Sequence, residues 1–397
     1  MNIVILSHPE FTEIKSIKRF TEMLRNGLSS KGHRVEVYTP EAVFMNKLKI
    51  PGLKKWMGYI DSLVIFPMKF KRLMKNMPHD TLFVLTDNAL GPWMSMLKDK
   101  PHVIHCHDFL AYYSSIGKIT ENPTSSTGKI YQNLIKKGFC QGKNFISVSK
   151  KTKADLENIL SEKPRLSEVI YNGLNPVFSP IDVQTSRNEM SKLCSADLNA
   201  GYIMNIGVNV WYKNKIGVLK IYEKWRETTG KSLPLLMVGP NPGIEIQERI
   251  KASPYASDIF MIENLSDEQI VKCYSGASAM LFPSLYEGFG WPIAEALACA
   301  CPVITTNEAP MNEVGSTFAY YIHKMPKESA LQDTWALSSA NELERVLSLH
   351  DEEISVAKSN GIRYAKGFNQ IDTMDKIENI YHRIFEQYGI KERSTVN

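Results

Sequence analysis

Ala279-Met280-Leu281-Phe282-Pro283-Ser284-Leu285-Tyr286-Glu287-Gly288-Phe289-Gly290-Trp291-Pro292-Ile293-Ala294-Glu295-Ala296-Leu297-Ala298 reads as strand, loop and helix, in that order. Pro292 suits the first helical turn, where its missing N–H costs nothing. Glu295 falls about one turn further in. Gly288 and Gly290 let the backbone approach a ligand, and the free N–H groups of a helix start favour a phosphate. A diphosphate at that end, with Glu287 and Glu295 on hydroxyls, would form a sugar-nucleotide site. The same residues also suit an ordinary strand-to-helix turn, with Glu287 in solvent and Glu295 favoured by the helix dipole. Physics alone leaves the two readings open.

The strand–loop–helix rhythm extends outward through the chain. Strand-like runs are Ile3–Leu6, Val35–Tyr38, Leu82–Leu85, Val103–Cys106, Phe145–Val148 and Glu168–Ile170. They resume at Tyr202–Ile206, Leu235–Val238, Ile259–Ile262, Ala279–Phe282 and Val303–Thr305. Helical patterns lie between them, as at Ile14–Leu28, Thr152–Leu160, Lys215–Thr228, Asp267–Tyr274, Pro292–Ala300 and Leu343–Leu349. Short unbroken apolar strands alternating with helices predict an α/β protein with buried parallel sheets. The Pro176–Pro180 region and the polar stretch after it separate two blocks of similar size. The expected domains are therefore 1–180 and 181–370, two Rossmann-like domains facing a central cleft. An amphipathic helix over Ile371–Tyr388 would pack back on the first, carrying the chain end at about 371–397 with it. Ligands in such sheets bind beyond the carboxyl ends of the strands, so the loops after strands carry the candidates.

Bulk properties exclude little and agree with this. The chain has 397 residues, 43% hydrophobic and 22% charged, with a net charge of +5. That is an ordinary globular composition, and no recognition motif suggests nucleic acid. The six cysteines form no CxxC pair and read as free thiols in a reducing compartment. No signal-peptide pattern follows Met1, and no run is long and apolar enough to span a bilayer, so the expected localisation is cytoplasmic.

Two further loops carry chemistry. In Asn205-Ile206-Gly207-Val208-Asn209-Val210-Trp211-Tyr212-Lys213-Asn214-Lys215 a strand ends in a Gly-bearing loop and cations follow at a helix start. Lys213 there could neutralise charge on a diphosphate leaving group, or be a solvated turn lysine. In Val103-Ile104-His105-Cys106-His107-Asp108 the two histidines have opposite parity, so His105 is expected inside and His107 at the strand end.

The run from Glu287 to Ala296 resembles the E-x7-E signature of retaining glycosyltransferases of family 4, in the form E-G-F-G-x-P-x-x-E-A. Phe282-Pro283-Ser284, Cys301-Pro302-Val303-Ile304, Glu313-Val314-Gly315 and Val169-Ile170-Tyr171-Asn172-Gly173 extend the resemblance. It implies the GT-B fold, a nucleotide-sugar donor (UDP- or GDP-sugar), a hydroxyl acceptor, retention at the anomeric carbon, and no metal or cofactor. It implies catalytic roles for Glu287, Lys213 and His107. Donor contacts would come from Gly207, Asn209, Lys213, Gly239, Asn264, Gly288, Phe289, Gly290, Trp291 and Glu295. Cell-surface polysaccharide, lipopolysaccharide or glycolipid synthesis is the implied setting. Two departures stand out. Val208 replaces the usual arginine, so Lys215 or another residue would have to supply a second cation. The loop Ser7–Ser16 lacks the usual Gly-Gly. These departures keep two alternatives open, a sugar-nucleotide epimerase or hydrolase of similar fold, or a degenerate binding protein.

Residues 47–75 carry Lys47, Lys49, Lys54, Lys55, Lys69, Lys71, Arg72 and Lys75 around the apolar run Trp56–Met68, with Asp61 the sole acid. Such a segment suits an anionic membrane surface, or a core helix with a solvated lysine face. It lies in the expected acceptor domain, for which the resemblance implies a glycan or lipid-linked acceptor.

Overall fold

The computed structural model describes residues 1–12, 14–47 and 54–389; Glu13, Lys49 and residues 390–397 of the expected C-terminal segment lie outside them. Two compact units divide the chain: Met1–Tyr171 with the chain from Ile371 onward, and Asn172–Gln370. The division falls at Tyr171 rather than Pro180. The reason is local packing, since Leu174 donates its N–H to Phe368 O at 2.6 Å and Phe178 packs edge-on to Tyr274. These contacts tie the proline-bearing segment to the second unit.

In the first unit the strands are β1 (Asn2–Leu6), β2 (Arg34–Tyr38), β3 (Thr81–Leu85), β4 (His102–Cys106), β5 (Asn144–Ser147) and β6 (Leu166–Val169), in the order β2-β1-β3-β4-β5-β6. All neighbours pair parallel. β1, β3, β4 and β5 are buried almost throughout, because helices cover both faces. One cover is the helix Gln370–Gln387, which buries Met374, Ile377, Ile380, Tyr381, Ile384 and Phe385 against the helix Lys15–Ser30 and the sheet. At about 1.5–3 kcal/mol per large apolar side chain this seam stabilises the unit by roughly 10 kcal/mol before chain entropy is counted. Lys31 and His33 bind Glu378 of that helix at 2.8 and 2.6 Å.

The second unit holds β7 (Ile203–Ile206), β8 (Leu235–Val238), β9 (Ile259–Ile262), β10 (Ala279–Phe282), β11 (Val303–Thr306) and β12 (Tyr320–Ile322), ordered β12-β11-β10-β7-β8-β9 and again parallel. β12 was not expected, since three residues with two tyrosines carry no strand period. The helix expected at Leu343–Leu349 runs instead from Ser329 to Leu347. Its first half has only Trp335 and Ala336 to mark its inner face.

Chain order reverses between β1 and β3 in one sheet and between β7 and β10 in the other. At such switch points adjacent loops run to opposite sides and leave a crevice at the strand ends. These two places position everything that follows.

Candidate active site

In the second unit the loops after β7 and β10 are stapled together. Asn214 adopts the left-handed conformation (φ 51°), accepts Gly217 N–H to cap the helix Lys215–Thr229, and donates to Pro283 O at 3.0 Å. Leu285 N–H adds a 2.7 Å bond to Tyr212 O. Between the staples, Lys213 Nζ meets Glu287 Oε1 at 2.7 Å, with side chains only 13% and 8% exposed. Glu287 is thus no solvent-facing turn residue, contrary to the simpler sequence reading. The ammonium also lies 4.9 Å from the centre of the Phe282 ring.

The floor is glycine by necessity. Gly239, after β8, has φ +143°, and a Cβ there would lie 2.3 Å from Gly207 O. No side chain fits a contact that close. Gly290 (φ +99°) precedes the helix Trp291–Ala298, which has Pro292 in its first turn and no side-chain cap at its start. Phe289 is buried, edge-on to Trp291 and Phe368, while Gly288 and Trp291 are half-buried.

Other expected donor residues sit less simply. Glu295 is 5% exposed and accepts Tyr274 Oη–H at 3.0 Å; burial, then Glu295's charge, holds that phenol well above its usual range. Asn209 donates its amide to Pro242 O, tying the β7 loop to the one after β8. Asn264 is exposed in a left-handed turn after β9 (φ 57°). Lys215, the possible second cation, is 3% exposed with no hydrogen-bond partner for Nζ, and burial pushes its pKa down to about 8. It faces inward from the helix start and does not replace the arginine missing at Val208.

The first unit has its own strand-end cluster. His107 Nε2 meets Thr86 O at 2.9 Å, and a carbonyl can only accept, so Nε2 carries the proton and Nδ1 is the acceptor. Burial lowers the His107 pKa despite the opposing pull of Asp87, so the ring is neutral at pH 7. His105 is buried, as its parity indicates, bonded to Tyr381 Oη at 2.8 Å and pushed down to about 3 by burial. Sequence reasoning missed the hydrogen-bonded contact between His8 Nε2 and Asp87 Oδ2, 2.9 Å. It occupies the β1–β3 switch point where the Gly-Gly loop was absent. Burial would raise the Asp87 pKa, but bonding and charge from His8, then the charge of His107, hold it below its usual range. The signal was polar residues directly after two apolar strands; that those strands are neighbours was not legible.

All six cysteines are free. Among the described residues one group has metal-ligand geometry, His33, Glu378 and His382, and Lys31 already occupies Glu378.

Two doubly wound parallel units, the second with closely approaching glycines and a lysine–glutamate pair at its switch point, define the GT-B class. Glycosyl transferases group 1 matches residues 188–327 and Glycosyltransferase Family 4 matches residues 17–178. The chain belongs to the group 1 glycosyltransferases of the family 4 type. An O-antigen chain mannosyltransferase of Salmonella typhimurium is 22% identical over 227 residues, 57% of this chain and 58% of its own. The chain spans between 30% and 60% of the length of the first three curated relatives it matches. Among solved structures, sucrose-phosphate synthase from Thermosynechococcus elongatus has TM-score 0.74 at 16% identity, covering 98% of this chain and 100% of that one. Anabaena HepE in complex with UDP and glucose has TM-score 0.67 at 14% identity, covering 96% and 99%. At these identities the likeness is one of fold.

Proposed function

We propose that this chain is a retaining glycosyltransferase. It would move a sugar from a UDP- or GDP-sugar to a hydroxyl of a glycan or lipid-linked acceptor, in cell-surface polysaccharide, lipopolysaccharide or glycolipid synthesis. The observation that carries this reading is the Lys213–Glu287 pair in the loops after β7 and β10, the second of which leads into the helix that starts after Gly290. The UDP and glucose bound by HepE and the mannosyltransferase activity named for the Salmonella relative support it.

In this scheme the diphosphate lies on the backbone from Gly288 to Trp291 and takes the Lys213 ammonium. Glu287, released from Lys213, accepts hydroxyls of the donor sugar. The bond from the anomeric carbon to the β-phosphate oxygen breaks and the acceptor oxygen bonds that carbon on the same face. The acceptor's proton passes to the leaving phosphate. Lys213 and the helix-start N–H groups supply the positive charge that the growing diphosphate needs, so no metal or cofactor is invoked. His107, neutral and offering Nδ1, would accept a sugar hydroxyl and not act as an acid.

The helix Lys54–Leu73 supports a site of action on the inner face of a membrane. It turns Trp56, Ile60, Val64 and Met68 outward, 36–54% exposed, among exposed Lys54, Lys55, Lys69, Lys71 and Arg72. A spacing of four outruns the 3.6-residue turn; the wider π turn Asp61–Ile65 absorbs part of the drift and keeps the stripe on one side. A simple core helix would not expose such a stripe. Among the described residues no helix is long and apolar enough to cross a bilayer.

The test is a panel of UDP-, GDP-, ADP- and dTDP-sugars, read by thermal shift and by nucleotide release with and without lipid extract. One nucleotide class should stabilise the protein, and Lys213→Ala and Glu295→Ala should abolish the shift. No stabilisation by any sugar nucleotide ends the reading, and release independent of acceptor favours a hydrolase or epimerase.

A further inference from the structure

The helix Gln370–Gln387 does more than bury an apolar face against the first unit. On its flank Glu378 and His382 stand one turn apart, a spacing that puts both side chains on one face. His33 meets them from the turn between the helix Lys15–Ser30 and β2. Gly32 takes a left-handed step there (φ +83°), and His33 N–H returns to Leu28 O at 3.2 Å, so the turn aims this imidazole at the later helix. Both imidazoles present Nε2 to one carboxylate oxygen. His33 Nε2 lies 2.6 Å from Glu378 Oε1, and His382 Nε2 lies 4.0 Å from it. The three ligand atoms lie within 4.8 Å of one another. A tetrahedral ion with bonds of about 2.0–2.2 Å spaces its ligands about 3.4 Å apart. Reaching that spacing opens the shorter contact and closes the longer one by under about 1 Å each, which side-chain rotation supplies. Lys31 takes only the other carboxylate oxygen, Oε2, at 2.8 Å. It therefore orients the carboxylate from behind and leaves Oε1 to a ligand. All three side chains are half-buried, sheltered yet reachable from solvent.

We propose that His33, Glu378 and His382 bind one zinc ion, which clamps the helix Gln370–Gln387 to the rest of the first unit. Two imidazoles, one carboxylate and a fourth position left to water make a zinc donor set. Magnesium and calcium want oxygen ligands and are held by charge. Charge is what this place lacks, since Lys31 and Met1 N, the latter 3.1 Å from His33 Nδ1, stand beside it. With the ion on Nε2 the His33 ring proton sits on Nδ1, and the contact from Met1 N gives way. The ion would tie two segments that are 345 positions apart in the chain. It takes no part in sugar transfer, and the proposal does not depend on the transferase reading.

Calorimetric titration of the full, tag-free chain with zinc chloride and with magnesium chloride, at about pH 7.5 where imidazoles are neutral, tests this. Zinc should bind one ion per chain, at least a hundredfold more tightly than magnesium. His382→Gln, which removes the ligand standing furthest from Glu378, should weaken zinc binding by roughly tenfold or more. Its metal-free thermal melt should match wild type and reports that it folds. In the wild-type chain, zinc should slow amide exchange in the helix Gln370–Gln387 severalfold, a readout that needs no variant. Zinc bound no more tightly than magnesium would overturn the proposal. So would unchanged affinity in His382→Gln, which would place the ion on other groups such as the half-buried thiols of Cys140 and Cys194. Zinc that binds without slowing exchange in Gln370–Gln387 would overturn the clamp.

Discussion

Replacing Lys213 by alanine removes one half of an ion pair whose other half has nowhere to go. Glu287 keeps only 8% of its side chain in contact with solvent, so its carboxylate would stay buried without its 2.7 Å partner. The Coulomb attraction at that distance, with an effective dielectric of about 20, is about 6 kcal/mol. Desolvation of the two ions offsets most of it, and the net worth of a buried pair is small. Breaking one side is different, because the surviving charge stays buried; such losses are about 3–5 kcal/mol. Lys213→Ala should therefore destabilise the second unit by about 3 kcal/mol. Glu287→Ala should cost somewhat less, since the flexible, 13% exposed ammonium can reach water. The double variant should be less destabilised than the sum of the singles by about 1–3 kcal/mol. Urea denaturation without ligand measures all four corners of this cycle. Donor binding should fail in every variant. Singles that each cost under about 0.5 kcal/mol and add in the double would refute the buried-pair argument, and with it the claim that the strand-end loops hold their cation in readiness.

Gly239→Ala should lower stability by several kcal/mol and abolish nucleotide-sugar stabilisation, because the new Cβ would strike Gly207 O at 2.3 Å; a thermal melt near wild type would contradict the close approach. Tyr274→Phe takes a donor from buried Glu295 and should cost about 1–3 kcal/mol, read by the same melts, with donor affinity falling alongside. Stability should rise with pH between about 3, the native value of His105, and its unfolded value near 6.5, since only the unfolded chain binds the proton there. By pH 5 this histidine alone removes about 2 kcal/mol relative to pH 7, and His105→Gln should flatten that slope in urea melts. Neutralising Lys54, Lys55 and Arg72 together should reduce co-sedimentation with anionic liposomes, each charge contributing about 1 kcal/mol; equal pelleting of variant and wild type would count against membrane docking.

Much of this was legible along the chain. Unbroken runs such as Leu82–Leu85 and Ala279–Phe282 betray buried parallel strands, because a strand covered on both faces has no polar side to show. Gly288, Gly290 and Pro292 mark a loop and helix start through backbone chemistry that is local. The amphipathic period of Ile371–Tyr388 marks a helix with one face to bury, but not which surface receives it. Strand order was not legible, since which strands become neighbours depends on the folding of the whole unit. That order decides the site: β7 beside β10 brings Lys213 to Glu287 across 74 positions of sequence. β1 beside β3 brings His8 to Asp87 across 79. Side-chain direction was equally hidden. Lys213 and Lys215 look alike in sequence, yet one ammonium pairs with Glu287 and the other is buried without a partner, because Asn214 turns the chain through a left-handed step between them. The residue types and the local loop were fixed by the sequence, whereas pairing and burial arise only when distant segments pack.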